Sequence, residues 1–521
     1  MYPRTYSSEW DFKNVNTKEY THGYHNYPAM MIPQIARKLL NEYRPEGHFG
    51  LLFDPYMGSG TSLVEASVQG IDSVGTDINP LACLIAEVKT TRYDASRLKE
   101  FLQFLTERLE TYDPRSQGEY RYDHITKADY WYSAENLAKL RFLTDLIDAH
   151  ADRSFVNFFR LALSEEIRES SYTRNGEFKR YRIAPSKISK FDVDPFKLFI
   201  RKVQRNLGGL SAYSTVVRPG RTVVSNFNTI DGIPQQIFGG RKADMVITSP
   251  PYGDSKTTVA YGQFSRWTNE WFQFENAQKI DSLLMGGQLK TEFSFRTETI
   301  ARELEQIKEV DRRRYVEVMT FLDDYHRSIA HVSSVVRSGG RVCYVVGNRT
   351  VKGIQIPLDY FTAEMFEQNG FRHEHTYVRS ITGKRMPSVT SPSNKKGANM
   401  NTMHSEYIVI LKKSSALFPC ISDIERPARA AFRFIPATFP WKHFIRPKHQ
   451  GDLRSPDFSD GSLFRRALHD NRSKAGYFPA GRTKIFAERC ITHRHFISLL
   501  LQCNRFHPRR LRRVGPIRAL T

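Results

Sequence analysis

The stretch "ADMVITSPPYGD", residues 243–254, ends an apolar, β-branched run in two prolines and an aromatic ring. Proline has no N–H to give to a sheet, so a buried strand must leave its ladder there in a stiff, extended form. The residues at that point share a chemistry. The Ser249 hydroxyl and the Pro250 carbonyl accept hydrogen bonds, Pro250 and Pro251 hold them rigid, and Tyr252 offers a flat face. Such a set suits an aromatic amine. A nucleobase turned out of its stack can lie on the ring while the acceptors pull on the hydrogens of its exocyclic amine. The lone pair of that amine is otherwise conjugated with its ring. Drawn toward sp³ it points at an electrophile, and no cysteine is needed. A rigid turn at an ordinary strand end has the same local sequence, so the weight falls on what else the chain supplies.

Two further sites lie upstream. "FDPYMGSGT" puts Gly58 and Gly60 between an apolar strand at 51–53 and a helix. Glycines there allow a tight turn and a close ligand, and the helix start offers unpaired N–H groups. A generic strand–helix turn uses glycine as well, and the dinucleotide fingerprint is incomplete because residue 63 is Leu. Asp77 follows Asp54 by 23 residues at the end of the next strand, where a carboxylate can accept both hydroxyls of a ribose. Capping the next helix is the other role open to it, but Asn79 before Pro80 is the better cap. Together the two sites favour an adenosine-containing cofactor at the carboxyl ends of the strands.

"DPYMGSGT", "GTDINPLA" and "TSPPY" resemble motifs I, II and IV of the amino-directed DNA methyltransferases, which make N4-methylcytosine or N6-methyladenine. "HGYHNYPAMMIPQIARKLL" is similar to their motif X, and "TVVSNF" stands in the place of motif III. The resemblance covers residues 20–413 apart from a helical region. It implies S-adenosylmethionine as cofactor, held by Tyr27, Pro28, Asp54, Pro55, Gly58, Ser59, Gly60, Thr61, Asp77 and Asn79. It implies catalysis by Ser249, Pro250, Pro251 and Tyr252, with no metal. Serine before the PPY is typical of the N4-cytosine group, and Asp or Asn of the N6-adenine group. Many N4-cytosine enzymes place this motif before the cofactor motif; here it follows, an order that does not settle the base. The expectation is site-specific transfer of a methyl group to the N4 amine of a flipped cytosine in double-stranded DNA. A restriction–modification or related system, with its cognate restriction endonuclease, is the expected setting. N6-adenine methylation, RNA base methylation and a catalytically silent DNA-binding protein are the alternatives.

The elements that must position these residues alternate. "YPAMMIPQIARKLLNEY" places Met31, Ile35 and Leu39 at helical spacing, and two strand–helix units follow. This βαβα pattern predicts an α/β fold: a doubly wound, mostly parallel sheet with helices on both faces. The resemblance names it as the Rossmann-like fold of class I methyltransferases. Residues 93–220 read as a helical insertion ("AENLAKLRFLTDLIDAH", "DPFKLFIRKVQRNL") around the basic stretch "RESSYTRNGEFKRYRIAPSKISK". That region is the candidate for DNA recognition. Arg174, Lys179, Arg180 and Arg182, with Lys384 in "RSITGKRMPS", are candidate phosphate or base contacts; a solvated charged face is the ordinary alternative. The helix "YVEVMTFLDDYHRSIAHVSSVV" leads through Gly339-Gly340 into the strand "RVCYVVG". "FRHEHTYVRS" and "SEYIVILKK" then close the sheet as an antiparallel pair. Residues 1–92 and 221–413 are thus the two parts of the catalytic domain.

A net charge of +22 and a pI near 9.7 point to a polyanionic partner. From Ser414 onward there are 21 Lys+Arg against 7 Asp+Glu, so more than half of the excess sits in the region 414–521. That region has no sustained period and is expected to be a poorly ordered basic tail. No run of apolar residues is long enough for a membrane span, and the N-terminus has no apolar signal core. Five scattered cysteines without a CxxC pair favour a reducing cytoplasm and argue against zinc or disulfides.

Overall fold

Eight strands form one mixed sheet: β1 (Thr5–Tyr6), β2 (Leu51–Asp54), β3 (Asp72–Asp77), β4 (Thr222–Asn226), β5 (Ala243–Thr248), β6 (Val336–Val346), β7 (Phe371–Ser380) and β8 (Ser405–Lys413). The computed structural model describes residues 2–415 except 46–49, 117–119, 175, 177, 255–256, 382–388, 391–399 and 402–403. The order is β1-β7-β8-β6-β5-β2-β3-β4. From β4 through β3, β2 and β5 to β6 all pairs are parallel. β8 is antiparallel to both β6 and β7, and β1 runs parallel to β7. This is a doubly wound, Rossmann-like sheet.

Helices cover both faces, which is why β2, β5 and the second half of β6 are nearly continuous apolar runs, while β3 is buried with small polar residues. Among them are α1 (Pro33–Glu42), α2 (Thr61–Gln69), α3 (Pro80–Thr90), α4 (Ala95–Glu110), α5 (Ala134–His150), α6 (Val156–Glu169), α7 (Pro195–Ser214), α8 (Tyr261–Trp271), α9 (Arg312–Val335) and α10 (Leu358–Glu367). Side chains alternate across the sheet with period two. Leu52, Met245, Ile247, Cys343, Val345 and Ile408 pack with α1 and α2. Phe53, Val246, Val342, Tyr344 and Val409 pack with α9 and α10. Each buried Leu, Val, Ile or Phe contributes about 1.5–3 kcal/mol, so this two-sided core fixes where the strand ends lie.

Residues 95–214 hold the helices α4 to α7. Asp94, Ser133 and Asp194 start three of them by accepting backbone N–H groups. Their apolar faces share one core with α3, with Tyr24 and Tyr27, and with Phe264, Trp267 and Trp271 of α8. The helical region is therefore continuous with the wall of the sheet's carboxyl edge.

Three details differ from the sequence reading. Met31 precedes α1, because the helix opens at Pro33, where a missing N–H costs nothing. β6 begins at Val336, so Gly339 and Gly340 lie inside the strand; the pairing with β5 is irregular there and Gly339 is left-handed, φ +72°. β1 was not anticipated. It is tied to the edge by Arg4, which donates to both oxygens of Asp359 (2.7 and 2.8 Å) and stacks over Tyr360. Among the described residues no helix is long and apolar enough to cross a membrane. Residues 416–521 of the basic tail lie outside the described residues.

Candidate active site

The chain leaves β2 for β3 on one side and later returns to the other side of β2 as β5. In parallel sheets ligands bind outside the carboxyl ends at such a reversal. Asp54 ends β2 and Thr248 ends β5. Thr248 Oγ1 donates to Asp54 Oδ1 at 2.6 Å, Tyr56 N donates to the same oxygen at 3.2 Å, and the Ser62 hydroxyl donates to Oδ2. Burial raises the Asp54 carboxyl to about 6, and these donors offset part of that rise. Both of its oxygens are engaged within the protein. Asp54 thereby ties two strand ends to the first turn of α2.

The glycine loop follows. Gly58 and Gly60 have φ of +48° and +72°, a region costly for side-chained residues. A Cβ on Gly60 would also lie 2.8 Å from the Ala86 Cβ, so this glycine lets α2 close against α3. Lys89 of α3 is buried and donates to the Ser59 carbonyl at 2.7 Å; burial lowers its ammonium to about 7.

Asp77, at the end of β3, accepts the Gly58 N–H at 3.1 Å and the Asn79 N–H at 2.8 Å, one on each oxygen. Burial raises this carboxyl to about 6 as well. Asn79 caps α3 through Leu81 N and donates from Nδ2 to the hydroxyls of Tyr27 (3.0 Å) and Ser265 (3.1 Å). Tyr27 stacks on Tyr261 with centroids 6.0 Å apart. The segment before α1 is thus pinned beside Asp77 by α3 and α8.

On the other side of the reversal, Ser249 Oγ donates to the Val345 carbonyl at 3.1 Å. Its proton is held by the protein, which leaves lone pairs for a ligand. The Tyr252 hydroxyl lies 3.1 Å from Ser249 Oγ and donates to Glu406 Oε1 at 3.4 Å. Burial, then the Glu406 charge, pushes the Tyr252 phenol upward, so it stays neutral. Asp254 accepts from the Thr257 hydroxyl at 2.6 Å and from Arg349 Nη1 at 3.1 Å. The Arg349 guanidinium lies where a Cβ on Gly253 would sit.

Tyr27, Pro28, Asp54, Pro55, Gly58, Ser59, Thr61, Asp77 and Asn79 line one open cleft together with Ser249 and Pro251. Gly60, Pro250 and Tyr252 do not line it. The sequence reading missed several other lining residues: Tyr56, Ile78, Phe227, Asn228, Thr229, Tyr261, Leu284 and Met285. Phe227 was findable, because it follows β4 at the same carboxyl edge. Leu284 and Met285 follow no motif; they are held there by Gly286 N donating to Asp324 (2.9 Å) and Asn228 Nδ2 donating to the Leu283 carbonyl (3.3 Å).

The basic candidates divide. Arg180 lies over the Trp267 ring at 4.8 Å, and Arg182 donates to the Tyr130 carbonyl at 2.9 Å while stacking on its ring. These two guanidiniums pack against the body. Arg174 is exposed and Lys179 half-buried on the same hairpin. Lys384 lies outside the described residues. Arg379, which opens "RSITGKRMPS", is no surface contact: it is buried, paired with Glu406, and donates to the Trp10 and Asp11 carbonyls. Among the described residues no group of His, Cys, Asp and Glu side chains could hold a metal ion.

The profile of a family described as DNA methylase matches residues 2–88. The chain is 37% identical over 427 residues to "Type II methyltransferase M.MvaI" of Kocuria varians, covering 77% of this chain and 93% of that protein. It is 22% identical over 424 residues to "Type II methyltransferase M.BsoBI" of Geobacillus stearothermophilus, covering 70% of this chain and 81% of that one. Among solved structures, the rRNA methyltransferase aviRa from Streptomyces viridochromogenes aligns over 74% of this chain and 86% of its own, at 10% identity and a TM-score of 0.26.

Proposed function

The chain belongs to the S-adenosylmethionine-dependent DNA methyltransferases of the N4/N6 family, and we propose that its target is the N4 amine of cytosine in double-stranded DNA. One observation carries this reading: Asp77 and Ser249 line the same cleft from opposite sides of the strand reversal. A ribose acceptor and an amine acceptor thus share one site.

The cofactor fits the donor set. Each Asp77 oxygen accepts one backbone N–H, which leaves lone pairs for the two hydroxyls of a ribose. Tyr27, Pro28, Pro55, Gly58, Ser59, Thr61 and Asn79 supply the surrounding walls. Asp54 ties the strand ends at the cleft wall, and Gly60 shapes the loop from behind. When bound, S-adenosylmethionine supplies a methyl group carried on a positively charged sulfur.

The chain's own part is to hold and polarise the amine. In this reading the flipped cytosine reaches past the cleft lining to Tyr252, and its amine donates to Ser249 Oγ and to the Pro250 carbonyl. Both acceptors are stiffened, one by the Val345 bond and the other by the Pro250-Pro251 backbone. Bending the amine out of conjugation frees its lone pair, so positioning and polarisation carry the catalysis. Serine at this position, where Asp or Asn stands in the N6-adenine group, supports cytosine. Arg174 and Lys179 approach the phosphates. The relatives named Type II methyltransferases support a place beside a cognate restriction endonuclease.

Digesting DNA methylated by the chain to nucleosides and weighing the products tests the assignment. N4-methylcytosine is expected. N6-methyladenine moves the target to the other base of the family, and 5-methylcytosine overturns the mechanism.

A further inference from the structure

Nine large hydrophobic residues are exposed among the described residues, and two of them, Phe178 (47% exposed) and Tyr181 (42%), lie on one basic hairpin. Single exposed apolar residues are ordinary; two aromatic rings on one basic segment need a reason. Phe178 and Tyr181 sit on a hairpin of residues 172–183, closed by the Thr173–Arg182 bridge and by Arg174 N donating to the Tyr181 carbonyl at 2.8 Å. The hairpin is clamped from beneath. Arg180 stacks on Trp267 of α8 and its N–H donates to Gln263 at 3.3 Å, while Arg182 is sandwiched between Tyr130 and Tyr172. With these two guanidiniums engaged beneath, Phe178 and Tyr181 remain exposed.

The position matters too. Phe178 meets Phe264 edge-on at 6.4 Å, and Phe264 meets Tyr27 at 5.9 Å. Tyr27 lines the cleft. Two ring contacts therefore connect the hairpin tip to the site. The segment carries Arg174, Lys179, Arg180 and Arg182 against a single acid, Glu177, so its charge suits a polyanion.

We propose that this hairpin is a DNA contact in which Phe178 and Tyr181 stack on bases beside the cleft. The inference rests on the function proposed above. Stacking on an aromatic side chain holds an unpaired or unstacked base without reading its identity, which is what a neighbour of a flipped nucleotide requires.

The test uses the full chain, unmethylated phage DNA and labelled S-adenosylmethionine. Phe178→Ala/Tyr181→Ala should raise the KM for DNA or lower kcat/KM for DNA by roughly tenfold or more, with the KM for S-adenosylmethionine and the melting temperature unchanged. Phe178→Trp/Tyr181→Phe, which keeps the stacking faces, should restore the rate. Tyr181→Ser gives a milder loss in the same direction if the double variant melts early. Unchanged DNA kinetics in both alanine and serine variants would overturn the inference, as would unchanged kinetics with an altered oligomeric state, which assigns the rings to a protein partner. If the wild-type chain methylates no DNA, the function reading has failed and the hairpin reading falls with it. A wild type that methylates DNA beside an indifferent variant removes the hairpin alone.

Discussion

The Thr248 hydroxyl donates to Asp54 Oδ1 at 2.6 Å, across the gap between β2 and β5. One side of that bond carries the glycine loop. The other begins the stretch from Ser249 to Tyr252. A misplacement of about 1 Å between reacting groups can cost about a hundredfold in rate, and this bond fixes the two strand ends proposed above to hold the cofactor and the base.

Thr248→Val should therefore lower the melting temperature by the equivalent of about 1–3 kcal/mol, the usual cost of leaving a buried acceptor short of a donor. It should also reduce kcat more than it raises the KM for either substrate. Thr248→Ser keeps the hydroxyl and should restore both. A Thr248→Val protein that melts and turns over like the parent would show that the bond positions nothing.

Asp77→Ala should weaken S-adenosylmethionine binding, because two hydrogen bonds to a charged acceptor are lost at about 1.5–3 kcal/mol each. Isothermal calorimetry reads this directly. Unchanged affinity would falsify the ribose assignment.

The pH dependence follows from the same carboxyl. Burial raises Asp77 to about 6, so below that pH it holds a proton and loses acceptor strength. Cofactor affinity should be greatest above pH 6 and fall as pH drops through it, approaching about tenfold per unit. For folding the sign is opposite. A carboxyl raised above its ordinary value of 3.8 favours the fold at low pH, and that contribution is lost as pH rises through 6. Asp77→Asn should flatten the affinity profile; a slope that persists would assign the titration to Asp54.

Ser249→Ala should strongly impair turnover while leaving cofactor affinity and melting temperature near normal. Tyr252→Ala should be nearly inactive, since the stacking surface is worth about 1–3 kcal/mol per base and the ring also braces Ser249. Tyr252→Phe separates the two roles: it keeps the face and loses the 3.1 Å contact to Ser249. A fully active Tyr252→Ala protein would sink the proposed chemistry.

The sheet and the Asp77 side of the cleft were legible because short-range rules write them. Pro80 after Asn79, Gly58 and Gly60 after an apolar strand, and Asp77 at the next strand end are local signals of where a chain turns and what it offers there. Leu284 and Met285 were not legible. They reach the cleft through Gly286 bonding to Asp324 of α9, a contact 38 residues away that no periodicity announces. Arg379 misled for the opposite reason. It stands in a basic run yet is buried against Glu406 and the chain near Trp10, and charge alone does not reveal a partner 27 residues downstream. Two hairpin arginines misled likewise: Arg180 and Arg182 pack on tryptophan and tyrosine rings from other elements.

β8 is the last strand of the sheet in sequence but sits between β6 and β7. During synthesis β2, β3 and β5 emerge before β8, so the strands around the cleft can assemble while the sheet still has an open edge at β6. β7, with the N-terminal β1 beside it, has no strand through which to join the sheet until residues 405–413 leave the ribosome. An unpaired β6 edge invites pairing with other chains in the meantime. Slowing translation just before Ser405 should therefore raise aggregation of the nascent protein more than a pause placed after Lys413.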